Sequence, residues 1–177
     1  MDRTEYLNGI NKSLVNASDL YDDAEILFKK ERYPRAYTLY QLSIEEIGKV
    51  SLIYNFLLYR NIQDISEQKI LIRQFTNHKS KTESSIGLDI LLAFLISDQK
   101  LKKKIIYQVH KQEKELEQLN LLKNSSLYTD IKNGKFIQPK EIITEKLTTE
   151  IKFIAQIRLN IARGFFKIAI ENFDQLR

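Results

Sequence analysis

The chain has 177 residues, 43% hydrophobic and 29% charged, with five Gly, two Pro, no Cys and a net charge of +5. That is enough chain for one domain with a sizeable core and too apolar for disorder, and the lack of Cys excludes disulfides and thiolate zinc sites. Nothing in the opening MDRTEYLNGINK can serve as a signal peptide, and the longest apolar stretch, IGLDILLAFLI, falls short of the ~18 residues of a membrane span and contains Asp89, so the expectation is a soluble cytoplasmic protein with no membrane contact.

Residues 3 to 30 place Leu7, Ile10, Leu14, Ala17, Leu20, Ala24 and Leu27 at steps of three and four, one stripe of a long helix. ERYPRAY ends it, and Pro34 suits the first turn of a second helix running to about Arg60. Asp64 or Ser66 can cap a third helix that carries RQFTNHKSK and continues, kinked near Gly87, through LDILLAFLI. A fourth begins near Ser97 or Asp98 and reaches about Lys123. Its Lys100, Lys102, Lys103 and Lys104 read as a solvated helix start, and His110 as a surface residue. Asn133-Gly134 is a tight-turn signal whose flanks can form a small β-hairpin. Pro139 closes that segment. A last helix, about Lys140 to Gln175, carries Ile143, Leu147, Ile151, Ile154, Ile157, Ile161, Phe165 and Ile168. The expected fold is all-α: an antiparallel bundle of about five helices, one domain over 1–177, with a small loop or hairpin before the last helix.

The stretch SIEEIGKV, residues 43 to 50, does not fit a simple stripe. At about 100° per residue, Leu39, Tyr40, Ser43, Ile47, Val50 and Tyr54 fall within about 60° of Ala36. Leu42, Leu52, Ile53 and Phe56 lie on the opposite side, and Glu45 and Lys49 share that sector with Glu46 at its border. A helix apolar nearly all round is central, and two carboxylates there cost several kcal/mol each unless paired. Lys49, one turn after Glu45, is its expected partner. Glu46 then needs one from elsewhere: Arg35, Arg73, His78 or Lys81. Gly48 costs about 1 kcal/mol against Ala in a helix interior, which makes sense where another helix or a ligand approaches closely. The alternative is a solvated Glu–Lys pair on the helix back.

DDAEILFKKERYPRAYTLYQLSIEEIGKV resembles the opening signature of the AbiV family of abortive-infection proteins: Asp-Ala, a turn, Arg-Ala, then Glu-Glu-x-Gly-Lys. NHKSK, with His78, Lys79 and Lys81, is similar to that family's His-x-x-Lys element. LLKNSSLYTDIKNGKFIQP is similar to its Lys…Leu-Tyr-x-Asp…Pro segment, here Lys123, Leu127, Tyr128, Asp130 and Pro139, with Thr129 where Val is expected. The resemblance implies a HEPN-like helical fold and a phage-defence effector that arrests host translation and growth. Many HEPN domains are metal-independent RNases that use Arg-x(4–6)-His in a symmetric dimer, and Arg73 and His78 have that spacing, with Gln74 where Asn commonly follows the Arg. On this reading His78 is the base or acid, Arg73 grips phosphate, Lys81 adds charge, and Glu45 or Glu46, with Lys49 beside them, orients the imidazole. The implied partners are a second copy of the chain, RNA and a phage protein activator, with no cofactor and no metal. Two alternatives stand beside it. His78 and Lys81 can simply bridge the carboxylates and hold two helices in register, and the chain can be a non-enzymatic module that binds a phage or host protein.

Overall fold

The computed structural model describes residues 1–95, 97–114 and 116–171. It contains α1 (Arg3–Lys29), α2 (Tyr33–Tyr59), α3 (Ile65–Thr76), α4 (His78–Leu95), α5 (Gln99–Lys114), α6 (Leu116–Leu127), β1 (Asp130–Lys132), β2 (Lys135–Ile137), α7 (Pro139–Ile142) and α8 (Glu145–Glu171). The all-α expectation holds, and the first two helices start and end within a residue of their expected limits. The only sheet among the described residues is the hairpin β1–β2. Asn133 and Gly134 both take positive φ at its turn, and Ile131 pairs with Phe136.

α2 is the central helix, as its two apolar sides require. It packs against α1, α4, α6 and α8. Its Tyr37, Tyr40, Ile44, Ile47 and Leu57 are almost fully buried, and so are Ile53 and Phe56 on the other side. α1 folds back on α2 through Lys30–Arg32, where the Arg32 N–H reaches the Leu27 carbonyl at 2.9 Å while Glu31 takes φ +57.

Two expected helices divide. The third breaks at Asn77, not at Gly87, which lies inside α4. Asn77 leaves helical geometry with ψ 112, and its side-chain oxygen accepts from Ser80 N at 3.1 Å, so it ends α3 and caps α4. The last helix divides at Ile143, with ψ 106, and the Leu147 N–H reaches Thr144 Oγ1 in the first turn of α8. The expected extension to Gln175, and the side chains of Phe165 and Ile168, lie outside the described residues. So does residue 115, between α5 and α6.

α8 shows where a stripe of large apolar residues misleads. Its deepest line is Ile151, Ala155, Leu159, Ala162 and Phe166, while Ile154, Ile157 and Ile161 are only half-buried. Arg158 sits in that buried line at 1% exposure. It reaches Asp89 on α4 through Nη2 at 2.6 Å and through Nε, and Ser85 through Nη1 at 2.9 Å. The Asp89 that interrupts the apolar run of α4 is therefore half of a buried ion pair. No described helix is long and apolar enough to cross a membrane.

Candidate functional site

The face that α4 turns toward α2 and α8 is polar. His78, the adjacent Lys81 and Thr82, Ser85 and Asp89 follow one another one turn apart, and all but His78 are buried. This face can approach α2 only because Gly48 has no side chain. A Cβ built on Gly48 would stand 1.8 Å from the Lys81 carbonyl oxygen and 2.6 Å from its carbon. Gly48 thus reports close approach of a second helix, one of the two reasons its place in α2 suggested.

Directly beside this crossing Glu45 is 2% exposed and accepts from three donors. Lys123 Nζ lies 2.7 Å from its Oε1. Lys81 Nζ at 2.9 Å and His78 Nδ1 at 2.6 Å share Oε2. Lys81 and Lys123 are themselves buried, at 7% and 5% exposure. α6 holds Lys123 in place because its last turn is tied to α2: Arg35 donates to the carbonyls of Ser126 and Leu127, and Ser126 Oγ meets Thr38 Oγ1 at 2.5 Å. Burial works to raise the Glu45 pKa. Hydrogen bonds from Lys123, His78 and Lys81 outweigh it and hold the carboxyl below its ordinary range.

The pairing differs from the expectation for both carboxylates: His78 and Lys81, candidate partners of Glu46, bind Glu45 instead, and Arg35 and Arg73 do not reach Glu46. Lys49 bonds Glu46, at 2.5 Å in the same helix, rather than Glu45. Glu46 and Lys49 are half-buried and satisfy each other, and Lys49 also lies 5.6 Å from the centre of the Phe75 ring. The i,i+4 rule put Lys49 with Glu45, but the three donors from α4 and α6 already occupy that carboxylate. Arg73 is exposed in the last turn of α3, and its guanidinium makes no hydrogen bond or ion pair among the described residues. The helix break at Asn77 separates it from His78. The structure therefore brings Glu45, His78 and Lys81 together, adds Lys123, sets Glu46 and Lys49 beside them, and leaves Arg73 outside. Lys123 stands in the Lys…Leu-Tyr-x-Asp…Pro segment, and that position was the signal by which it could have been found.

His78 differs from the rest of the cluster by its exposure, 52% for the side chain. It stands at the mouth of a cleft of about 100 Å³ between α2, α4 and α6, lined also by Gln41, Glu45, Thr82, Leu116 and Asn120. An ionised carboxylate can only accept, so the Nδ1 that meets Glu45 carries the proton. In the neutral ring Nε2 then keeps its lone pair, and it makes no hydrogen bond among the described residues. A carboxylate fixing one imidazole nitrogen so that the other can take a proton is the arrangement general-base chemistry uses. Counting Glu45, Lys81 and Lys123, the cluster carries one excess positive charge, and a second when the imidazole is protonated. Among the described residues no three His, Asp or Glu side chains gather as metal ligands.

The family model HEPN_AbiV, described as AbiV, matches residues 5–160. The chain belongs to the AbiV family. That match spans every residue of the cluster, so the Glu45–His78–Lys81–Lys123 arrangement lies within the AbiV domain itself. Searches of the curated proteins and of the solved structures found no match.

The Glu45 contacts make a pH dependence. The carboxyl's ordinary value is 4.5, and the folded value lies below it. A depressed folded pKa contributes stability above the unfolded value, and that contribution is lost as pH falls through the folded one. Urea midpoints of the wild type should therefore fall between about pH 5 and pH 3, and those of Glu45→Gln should fall less steeply. Glu25 is also held low, with hydrogen bonds from Lys152 and Tyr40 outweighing its burial, so the wild type keeps a residual slope that both proteins share. Equal slopes in both proteins would contradict the Glu45 assignment.

Proposed function

We propose that this AbiV-family chain is an abortive-infection effector that arrests host translation and growth by cleaving RNA without a metal, with His78 as the proton-transfer group. The observation that carries the reading is the His78–Glu45 dyad, with a buried carboxylate on Nδ1 and the rest of the ring at the mouth of a cleft. In the reaction His78 Nε2 takes the proton of a ribose 2′-OH. The 2′-oxygen bonds to phosphorus, the bond to the 5′-oxygen breaks, and that oxygen leaves with a proton. The products are a 2′,3′-cyclic phosphate and a free 5′-OH. The excess positive charge of Lys81 and Lys123 over Glu45 favours the negative charge that builds on phosphorus. Arg73, exposed one helix away, serves the approach of the phosphate backbone rather than the proton transfer.

Each protomer supplies one such imidazole, so a second copy is the source of an acid for the leaving oxygen. We expect a homodimer, and sedimentation showing a strict monomer at tens of micromolar would remove that part of the reading. The function itself is tested by incubating purified protein with total RNA and tRNA in EDTA, with and without lysate from phage-infected cells. Cleavage with cyclic-phosphate ends supports it. Intact RNA in every arm would end it.

A second reading has its own observation. The hairpin carries Ile131 and Phe136 at 62% and 76% exposure, paired across the strands, with Tyr128 beside it at 66%. Such a surface suits contact with a phage or host protein, either as trigger of the RNase or as the whole function of a non-enzymatic module. A double variant, Ile131→Ser with Phe136→Ser, that still cleaves RNA but no longer protects against phage would assign the trigger there. If the hairpin plays no such part, the variant protects like wild type.

A further inference from the structure

α5 carries positive charge where a helix least favours it. Asp98 caps its N-terminus, with Oδ1 accepting from the Lys100 N–H at 2.8 Å. Lys100 and Lys102 follow in the first turn, which holds no acidic residue. Cations there oppose the helix dipole. From Gln99 to Gln112 the chain has no Asp or Glu, so α5 supplies no counter-charge along that length. At about 100° per residue, Lys100, Lys103, Tyr107 and His110 fall within about 80° of one another. All four are exposed, Tyr107 at 66%. Among the described residues neither Lys100 nor Lys103 makes an ion pair or a side-chain hydrogen bond, and Tyr107 has neither a hydrogen bond nor a ring contact. Ile105 and Val109 lie on the opposite side, half-buried and buried, where α5 packs on α4 and α6.

We infer that the outer face of α5 binds single-stranded RNA, with phosphates on Lys100 and Lys103 and a base stacked on Tyr107. The lysines supply a sequence-independent attraction to the backbone, and an exposed ring beside them gives a base its stacking partner. The apolar side of α5 is turned inward, so the helix has no apolar face to lay into lipid. The stripe also runs toward the proposed site. α5 ends at Lys114, and Leu116, the first residue of α6, lines the cleft where His78 stands. A strand laid along this face, about 15 Å from Lys100 to His110, therefore has one end beside the cleft. The inference rests on RNA as the ligand proposed above, but not on its cleavage.

The probe is a mixed-sequence single-stranded RNA with 2′-O-methyl riboses, which keeps phosphates and bases and lacks the hydroxyl that cleavage needs. Binding is read by fluorescence anisotropy across a salt series. Wild type should bind. The double variant Lys100→Gln with Lys103→Gln should bind at least tenfold more weakly at low salt, and its slope of log affinity against log salt should be shallower by about 1.4. Tyr107→Ala should lose about tenfold at an unchanged slope, while Tyr107→Phe, which keeps the ring, should bind like wild type. All three should melt with wild type, since each altered side chain is exposed. Failure of wild type to bind would overturn the inference, as would variants that bind like wild type. Binding of anionic phospholipid vesicles in place of the RNA would overturn it too, and so would equal losses in Tyr107→Phe and Tyr107→Ala. The two readings separate cleanly. Cleavage that needs His78, in a chain whose α5 variants bind like wild type, keeps the RNase and removes the α5 surface. Binding that depends on Tyr107 without cleavage under any condition does the reverse.

Discussion

Glu45→Ala should lower stability by about 3–5 kcal/mol, because it leaves Lys81 and Lys123 buried without a counter-charge. Both ammonium groups lie within 2.9 Å of the carboxylate, and both side chains are under a tenth exposed. Neither can escape to water without moving α4 or α6 off α2. Glu46→Ala is the matched control, one residue away. Its partner Lys49 is partly exposed at 21% and can turn to solvent, so the loss should stay near the 0–1 kcal/mol of an accessible pair. Chemical denaturation of the two variants side by side reads the difference. Equal losses would show that Glu45 is not the hub of this interface.

Gly48→Ala should also destabilise, by about 2–3 kcal/mol or more, against the usual direction of a helix-interior Gly→Ala change. Propensity alone would favour alanine by about 1 kcal/mol. The new methyl would meet backbone rather than a yielding side chain, at 1.8 Å from the Lys81 carbonyl oxygen. α2 and α4 would have to part by roughly 1.5 Å to restore contact distance, which pulls Lys81 from Glu45. Gly87, on the exposed side of α4 with nothing within 4 Å of a built Cβ, is the control. Gly87→Ala should be neutral or stabilising by up to about 1 kcal/mol. A stabilised Gly48→Ala would contradict the close crossing of these two helices.

What the sequence made legible follows from which forces act locally. α1, α2 and the hairpin could be read because apolar periodicity, Pro34 and the Asn133-Gly134 turn are local signals. The all-round apolarity of α2 announced a central helix, and the intruding SIEEIGKV announced a polar network inside it. The partners in that network were not legible. Local spacing favoured Lys49 for Glu45, but tertiary packing brought Lys81, His78 and Lys123 from helices 33 to 78 positions away. The same limit applies to Arg158. A buried arginine in the core line of α8 is visible only once Asp89 is seen opposite it. The break at Asn77 was missed because helical residues flank it on both sides, and with it the separation of Arg73 from His78.

Under the proposed function His78 moves a proton on RNA and is not merely a partner of Glu45. Its side chain is half exposed, and Glu45 keeps Lys81 and Lys123 without it, so His78→Ala should melt within a degree or two of wild type. An acid–base group typically contributes about 10²–10⁴-fold to rate, so the variant should lose RNA cleavage by at least about 100-fold at unchanged fold. The most direct measurement is therefore RNA cleavage in EDTA by wild type and His78→Ala at equal folded concentration, with melting temperature recorded on the same samples. Wild type should cleave, and the fully folded variant should cleave about 100-fold less. A folded His78→Ala that cleaves like wild type, or a loss of cleavage that only follows loss of folded protein, would contradict it.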